Sequence, residues 1–434
     1  MSKQTYQTPR GTKDILPNEQ PYWAMLRNTS EHVLSGLGFS RIDLPHFENS
    51  EIYTRGIGET TDVVSKEMFV LEKKSEDDKA TLALRPEGTA GAVRSYIQNG
   101  MGSWPQPVRL YYTGAMFRHE RPQKGRFREF YQVGVEIFGD DSAQSDYLVI
   151  MSAWEILRRL GLKNLMVYAN SIGCPKCRPK YLAKLKKYYK DKVKDLCEDC
   201  QRRYETNPLR LLDCKAEADQ KFAKEAPVML DSLCPECKKH FSETLEYLDY
   251  FNIRYDLDST LVRGLDYYTN TVFEIVETKD ASRQGTIVGG GRYNGLVEIL
   301  GGPSTPGVGF SFGMERVINL MKEQGVTPPA LRGIDVAILQ LGDKAKEVSK
   351  SIYDKLSQND INVYFVPSNE GLRQQIRNAS KLGAHFAIII GQQEALKDEI
   401  ILRDLTASSQ EVFPKKVLIE EVKNRLVKCG CFPV

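Results

Sequence analysis

The sequence predicts an α+β chain in three parts, and three observations carry that reading. Two long β runs, Val108–Phe117 and Phe130–Phe138, stand within a first segment of mixed helix and strand. Residues 171–251 then change character, gathering seven of the nine cysteines and a dense run of lysines. Beyond the proline-rich stretch VTPPALRG (Val326–Gly333), the runs IDVAILQL, INVYFVP and AHFAIIIG alternate with helical patterns at short spacing. That βαβαβ order argues for a small α/β domain with a partly parallel sheet. A length of 434 residues fits roughly three folding units at about 150 residues each.

Composition narrows the class further. Hydrophobic residues at 41% and charged residues at 27% exclude a disordered or fibrous chain. Sixty Lys and Arg against 57 Asp and Glu leave a net charge of +3, too balanced to advertise a nucleic-acid partner by charge alone. Five histidines, spread from His32 to His385, leave little room for a His-rich metal centre. No stretch approaches the ~18 apolar residues of a membrane helix, and the N-terminus lacks the apolar core of a signal peptide. A soluble, cytoplasmic protein is therefore expected. The cysteines agree, because six of them form CxxC pairs within one segment instead of a disulfide framework spread over a small domain.

In chain order, a helix is expected over Pro21–Leu37, closed at Gly38 by a left-handed residue. The strand-like RIDLPHFE follows, then a helix from Thr89, which is able to cap it. The two β runs are joined by the charged loop RHERPQKGRFRE, and a helix over Ala143–Leu160 closes this segment. Between Lys176 and Lys194 there are nine basic residues and one acid, Asp191. Such a run is either a solvated helix face or an electrostatic footprint for a phosphate backbone. Strand patterns return over 252–320, with LVRGLDYYTNTVFEIV, the glycine-dense IVGGGRYNGL, and GVGFSFGMERVINLM running from strand into helix.

Phe130–Phe138 carries the most chemistry. Side chains alternate across a strand, so Val133, Val135 and Ile137 form a core face while Gln132, Gly134 and Glu136 share the other. The glycine between an amide and a carboxylate leaves a gap where a ligand could approach the backbone, although a half-exposed polar face is the plainer alternative. On the preceding strand Gly114, Met116 and Arg118 share a face, which brings Arg118 to the mouth of the same hairpin. The loop between them holds Arg121, Lys124, Arg126 and Arg128 against Glu120 and Glu129, a density of cations that suits a polyphosphate. Phe130 offers a flat face for a nucleobase. No GxxxxGK[ST] loop and no GxGxxG after a strand occurs, so nucleotide binding by a P-loop or a Rossmann site is excluded. Gly289, Gly290 and Gly291 with Arg292 and Tyr293 suggest a permissive turn beside a reachable cation, with a tight hairpin equally compatible. Tyr293 is a secondary site candidate.

The pairs Cys174/Cys177, Cys197/Cys200 and Cys234/Cys237 have structural zinc spacing, with Cys214 left over. Thiolates from two pairs would close a tetrahedral site; metal-free buried cysteines are the alternative. Cys429 and Cys431 lie too near the tail to interpret.

FRHE…RFREF resembles motif 2 of the class II aminoacyl-tRNA synthetases and GVGFSFGMERV their motif 3. RPEGTAGAVR, LVRGLDYYTNTVFE and GGGRYNGL together resemble the signatures of histidyl-tRNA synthetase. The likeness runs from TPRGTKDILP through the C-terminal domain, with five motifs in order. It implies an antiparallel sheet flanked by helices, formed by 1–170 and 252–325. It further implies an insertion at 171–251 facing the tRNA acceptor arm, and an anticodon-binding α/β domain at 330–434. By the same resemblance Arg118 holds the α-phosphate of ATP and the histidine carboxylate. Arg316 holds the γ-phosphate, Phe130 stacks on adenine, and Arg126 joins the ATP site. Arg263 acts as the electrophile beside the reacting carboxylate, where a salt bridge on a strand would be its structural alternative. Glu136 and Tyr268, with Tyr267 beside them, match the imidazole-reading group, and Glu87, Thr89 and Gln132 the group around the α-amino end. Mg²⁺ is implied at the β- and γ-phosphates, but the family does not depend on zinc. A homodimer is implied too, with Pro45 in the strand matching motif 1.

The rival reading is a non-catalytic paralogue that binds histidine as a regulatory subunit. Such regulators usually lack the C-terminal domain and have degraded motifs, whereas this chain keeps both.

If Arg263 stabilises charge during the reaction, Arg263→His is expected to slow histidyl-adenylate formation about a hundredfold or more while leaving histidine binding nearly intact. Single-turnover adenylate formation set against equilibrium histidine binding checks this; equal losses in both refute the electrophilic role.

Overall fold

The computed structural model describes residues 6–59, 61–72, 80–120, 126–278, 285–329, 331–365 and 370–429. Arg121, Lys124 and Cys431 lie outside the described residues. The chain divides into two compact units, Met1–Pro328 and Pro329–Val434, so the boundary falls within the proline-rich stretch.

The first unit runs through helix α1 (Gln20–Gly36), the short strands β1 (Ser40–Arg41) and β2 (Phe47–Asn49), α2 (Glu51–Ile57), β3 (Leu82–Leu84) and α3 (Thr89–Gln98). The long pair β4 (Val108–Phe117) and β5 (Glu129–Phe138) follows, then α4 (Ala143–Arg159) and β6 (Leu165–Ser171). The insertion is helical: α5 (Arg178–Tyr189), α6 (Glu198–Thr206), α7 (Glu217–Lys224) and α8 (Pro235–Tyr250). β7 (Tyr255–Leu257), β8 (Thr269–Glu277), β9 (Thr286–Arg292), α9 (Leu296–Ile299), β10 (Gly307–Gly313) and α10 (Met314–Glu323) complete the unit.

Local chemistry explains these elements. α1 buries Trp23, Leu26, Ser30, Val33 and Leu34, the 3–4 spacing of one helix face. It ends as expected at Gly38, φ 78°. Phe39 N–H returns to the Leu34 carbonyl at 2.9 Å and Gly38 N–H to Ser35 at 3.0 Å, a Schellman closure. The start of α3 differs from expectation. Thr89 is already helical, and the Glu87 carboxylate takes the amide N–H groups of Thr89 (2.6 Å) and Ala90 (2.9 Å), which frees the Thr89 hydroxyl for the site.

The sheet has eight strands in the order β1-β4-β5-β10-β9-β8-β6-β7. The six central strands are antiparallel, as expected, while the edge strands β1 and β7 join in parallel and make the sheet mixed. Two apolar layers cover its faces. Val133, Val135 and Ile137 pack with α1, α4 and α10 on one side. Tyr112, Tyr267, Tyr268 and Tyr293 pack on the other with α3 and the insertion residues Tyr181, Leu185 and Tyr189.

Three local expectations are corrected. Pro45 lies between β1 and β2, in neither strand, consistent with its missing N–H. The strand begins only at Thr269, so Arg263 and Tyr268 sit on a loop, and the alternation that would have sent them to opposite faces does not apply. Gly289, Gly290 and Gly291 are interior to β9 and make no turn.

Arg292 is likewise no reachable cation. It is 0% exposed, and its Nε donates to Asp146, itself 1% exposed, at 2.9 Å. His240 of α8 and Thr271 of β8 also bond to Asp146, tying the insertion, α4 and the sheet together at one buried carboxylate.

The second unit holds β11 (Val336–Gln340), α11 (Asp343–Ser357), β12 (Val363–Phe365), α12 (Leu372–Lys381), β13 (Phe386–Ile390), α13 (Gln392–Lys397), β14 (Glu399–Asp404), β15 (Gln410–Pro414) and α14 (Leu418–Lys428). Its sheet order is β12-β11-β13-β14-β15, the first three parallel and the last two antiparallel, matching the partly parallel expectation. β11 is buried along both faces, Val336 and Ile338 in one apolar cluster and Ala337 and Leu339 in the other.

Arg292→Met leaves the buried Asp146 without its guanidinium and should cost about 3–5 kcal/mol. All three tryptophans (Trp23, Trp104, Trp154) lie in the first unit, so tryptophan fluorescence during urea unfolding reads this loss directly. A change below 1 kcal/mol would show the pair to be dispensable.

Candidate active site

The polar face of the sheet opens into a cavity of about 650 Å³. Arg118, Arg126, Arg263 and Arg316 all border it. Glu87, Thr89, Phe130 and Gln132 line it as well, with Tyr267, Tyr268 and the secondary candidate Tyr293. Residues drawn from β5, α3, α10 and the 261–268 loop are thereby brought to one place.

Glycines in the strands make room for these side chains. A Cβ at Gly289 would overlap the Arg263 guanidinium, which lies flat across β9 at that position. A Cβ at Gly134 would overlap the ring of Tyr112, its partner on β4. The gap read between Gln132 and Glu136 is therefore occupied by Tyr112. Tyr112 was absent from the sequence reading, although its pairing with Gly134 follows from the hairpin register and could have been counted.

Glu136 is 1% exposed and stands one layer behind the cavity wall. Its carboxylate accepts the hydroxyls of Thr89 (2.8 Å), Tyr112 (3.1 Å) and Tyr293. An ionised carboxylate has about four lone-pair sites, so three donors leave one position for a ligand N–H. Burial pushes the Glu136 carboxyl up to about 8, against the pull of the Tyr293 and Thr89 hydrogen bonds. Thr89, expected near the α-amino end, thus serves the carboxylate assigned to the ring. Burial also raises the Glu87 carboxyl, and its two amide N–H donors draw it part of the way back.

Gln132 is 8% exposed, and among the described residues its buried Oε1 has no hydrogen-bond partner; the same is true of the Arg263 Nε–H. An unsatisfied acceptor and an unsatisfied donor on one cavity suit a ligand with both an ammonium and a carboxylate.

The arginines are held in different ways. Arg263 pairs with Glu274 of β8, whose other oxygen accepts the Thr286 hydroxyl at 2.7 Å. Burial lowers the tendency of Arg263 to stay charged, and Glu274 and Tyr268 more than restore it. The salt-bridge alternative for Arg263 is thus realised in part, from a loop to a strand, while its guanidinium still faces the cavity. Arg118 donates Nε–H to the Pro86 carbonyl at 2.8 Å, and its guanidinium carbon lies 5.3 Å from the Phe130 ring centroid. One face of the expected adenine platform is therefore covered by Arg118. Arg126 pairs with Glu120 at 3.1 Å, and Arg316 donates to the Thr286 carbonyl. Glu315, next to Arg316 on the wall, accepts Tyr131 N–H at 3.0 Å, and burial raises its carboxyl to about 7.

The insertion supplies a wall that the sequence reading did not foresee. Arg203 and Arg210 pair with Asp62 at 3.2 and 3.6 Å, and all three border the cavity. Arg178, counted in the basic run, donates to the Tyr268 carbonyl at 2.7 Å and so braces the site loop. Lys176, Lys180, Lys184, Lys187, Lys190 and Lys194 are exposed.

Two groups of side chains have metal-ligating geometry: Cys174, Cys177, Cys234 and Cys237, and Cys197, Cys200, Cys214 and Asp219.

Residues 11–317 match a family model described as histidyl-tRNA synthetase, and residues 335–425 one described as an anticodon binding domain. A histidine–tRNA ligase of Desulforamulus reducens is 44% identical over 417 residues, covering 96% of this chain and 99% of that protein. One from Caldanaerobacter subterraneus subsp. tengcongensis is 43% identical over 418 residues, covering 96% and 98%. The crystal structure of apo S. aureus histidyl-tRNA synthetase, 33% identical, aligns with a TM-score of 0.80 over 96% of this chain and 100% of that one.

Gly289→Ala should displace the Arg263 guanidinium while leaving the β9 backbone in place. The variant is expected to melt within a few degrees of the parent while losing at least tenfold in turnover; a fully active variant would show that Arg263 has no need of that position.

Proposed function

The chain belongs to the histidyl-tRNA synthetase family and is an aminoacyl-tRNA synthetase of the histidine–tRNA ligase type, and from that premise we propose how its residues divide the reaction. The regulatory-subunit alternative is not favoured, because both the synthetase region and the anticodon-binding region are matched. The observation that carries the assignment of roles is the convergence of Arg118, Arg263 and Arg316 on one cavity with the unsatisfied Gln132 Oε1.

Histidine binds with its carboxylate toward Arg118 and Arg263 and its ammonium toward Glu87 and Gln132. The imidazole is read by Glu136 and Tyr268, with Thr89, Tyr267 and Tyr293 around it. ATP lies with its α-phosphate at Arg118, its γ-phosphate at Arg316 and its outer phosphates toward Arg126. Adenine takes the Phe130 face once Arg118 turns to the phosphate. A histidine carboxylate oxygen attacks the α-phosphorus, the bond to the bridging oxygen of the β-phosphate breaks, and pyrophosphate leaves. Two anions must meet for this, so preorganised guanidiniums and alignment supply most of the effect. The hydroxyl of the tRNA's terminal adenosine then attacks the acyl carbon and AMP departs.

ATP and Mg²⁺ are typical of class II synthetases. Carboxylates bordering the cavity, Glu315 beside Arg316 among them, offer the hard oxygen atoms that Mg²⁺ prefers. The ion would neutralise charge on the β- and γ-phosphates. The four cysteines Cys174, Cys177, Cys234 and Cys237 suit a structural zinc that clips the two ends of the insertion together; the Cys174 and Cys177 sulfurs lie 3.6 Å apart.

The exposed lysines of α5 and its flank form the footprint for the acceptor arm of tRNA(His), and the second unit takes the anticodon. Residues 1–170 and 252–325 act as the catalytic domain, 171–251 as its insertion, and 330–434 as the anticodon domain. The working form is a cytoplasmic homodimer, in keeping with a role in translation; no helix among the described residues is long and apolar enough to cross a membrane.

Histidine-dependent ATP–pyrophosphate exchange tests the reading, and its pH profile tests Glu136. Because the folded carboxyl titrates near 8 instead of near 4, its stabilising contribution is complete below the ordinary carboxyl range and is lost as pH rises through about 8. Between about pH 6.5 and 8 the protein holds one proton and free imidazole none, so binding needs no net proton; above about 8 a proton must be taken up. The histidine KM should therefore rise above pH 8. Glu136→Gln should remove that limb and weaken histidine binding roughly ten- to hundredfold, with little change for ATP. Histidine's own α-amino group titrates alike in both proteins, so the difference isolates Glu136. A selective ATP defect in the variant contradicts the assignment.

A further inference from the structure

We propose that Cys197, Cys200, Cys214 and Asp219 bind a second zinc ion, separate from the Cys174 group, and that this ion fixes the insertion's wall of the active-site cavity. The middle CxxC pair, Cys197/Cys200, does not join the other two. It is completed by Cys214, solitary in the sequence, and by a carboxylate.

The ligand atoms of the four residues all lie within 4.8 Å of one another. A tetrahedral zinc with Zn–S bonds of about 2.3 Å sets its sulfurs roughly 3.8 Å apart. The Cys197 and Cys214 sulfurs are 3.7 Å apart, and Asp219 Oδ2 lies 3.2 Å from Cys214 Sγ, the shorter edge that a shorter Zn–O bond requires. The cysteines are free, and a separation of 3.7 Å is far from the ~2.05 Å of a disulfide.

A second observation points the same way. Asp219 is 2% exposed, yet among the described residues no lysine, arginine or histidine forms an ion pair with it. Asp219 accepts an amide N–H and a thiol proton, and a borderline-soft divalent ion that replaces the thiol proton satisfies both donor types, where Mg²⁺ and Ca²⁺ would not. The supporting contacts are those that hold ligands in place. Both Asp219 oxygens accept Cys197 N–H at 3.2 Å, and Ala216 N–H donates to Cys214 Sγ at 3.4 Å.

The site has a consequence for the cavity. Cys197 stands at the N-cap position of α6, and Cys197, Cys214 and Ala216 border the same cavity as Arg263. The same helix carries Arg203, which reaches Asp62. A metal joining the start of α6 to the 214–219 segment would set where that wall stands.

The experiment is metal counting on the full-length protein, paired with kinetics. Two zinc equivalents per chain are expected, falling to one in Cys200→Ala and to one in Cys177→Ala. Asp219→Cys should keep two. In the cobalt-substituted parent the thiolate charge-transfer intensity should correspond to seven thiolates over two ions, a measurement that stands even if a cysteine variant does not fold. One equivalent in the parent, unchanged by Cys200→Ala, or a cobalt spectrum of four thiolates on one ion, overturns the second site. The role at the wall rests on the ligase reading, and the metal count does not. With one zinc lost in Cys200→Ala, the histidine KM should rise at least threefold with a smaller fall in kcat; an unchanged KM removes the positioning role and leaves the metal site standing.

Discussion

A β-sheet normally presents a close row of side chains on each face, which leaves no space for a polar site against the backbone. Here that row is interrupted at several glycines, and at three of them a side chain from elsewhere lies against the strand. Arg263 crosses Gly289, Tyr112 crosses Gly134, and the Glu136 carboxylate reaches beside Gly309. Each of these groups is fixed by packing on a flat, rigid surface, which leaves it little rotamer freedom to lose when a ligand arrives. The remaining features of the site depend on this arrangement, because it decides which charged groups meet.

Once brought together, the charges constrain one another. A guanidinium is tolerated in a half-buried position only with partners, and Arg263 has Glu274 while Arg118 has the Pro86 carbonyl and the Phe130 ring. A carboxylate buried away from solvent becomes a weak acid even where hydroxyls bond to it, as Glu136 does among Thr89, Tyr112 and Tyr293. One sheet therefore carries a cationic region fit for phosphate and carboxylate beside a neutral, hydroxyl-rich region fit for an imidazole. The separation follows from which element supplies each partner.

The insertion belongs to this construction. Its Tyr181, Leu185 and Tyr189 share one apolar cluster with Tyr267, Tyr268 and Tyr293, and Arg178 holds the loop that carries Tyr268. His240 reaches the buried Asp146, which Arg292 of β9 also holds. A segment that reads in sequence as a basic, cysteine-rich appendage is built into both the core and the cavity wall. Its positive charge is divided accordingly: six lysines of the basic run are exposed, and Arg178, Arg203 and Arg210 are spent on internal contacts.

Much of this was legible in the chain itself, for definite reasons. Strand alternation marked Val133, Val135 and Ile137 as core, because that pattern is local and every pair of neighbours repeats it. The left-handed end of α1 followed from one glycine, and the arginine and aromatic motifs were legible as an ordered set. What depended on contacts across the sequence was not legible. Nothing near Arg263 reveals that it leaves the strand, and nothing in GGG says that the glycines accept other residues' side chains where a turn was expected. Thr89 looked like a helix cap until Glu87 took that role and released its hydroxyl to a carboxylate 47 positions away. Cys214 and Asp219 find Cys197 and Cys200 only when the 214–219 segment folds against the start of α6. Sequence alone determined which residue types were available and which faces of the strands were apolar, since both are set by composition and period. The tertiary structure decided which polar groups meet, because pairing across strands and loops depends on register and on empty space, and neither is written at any single position.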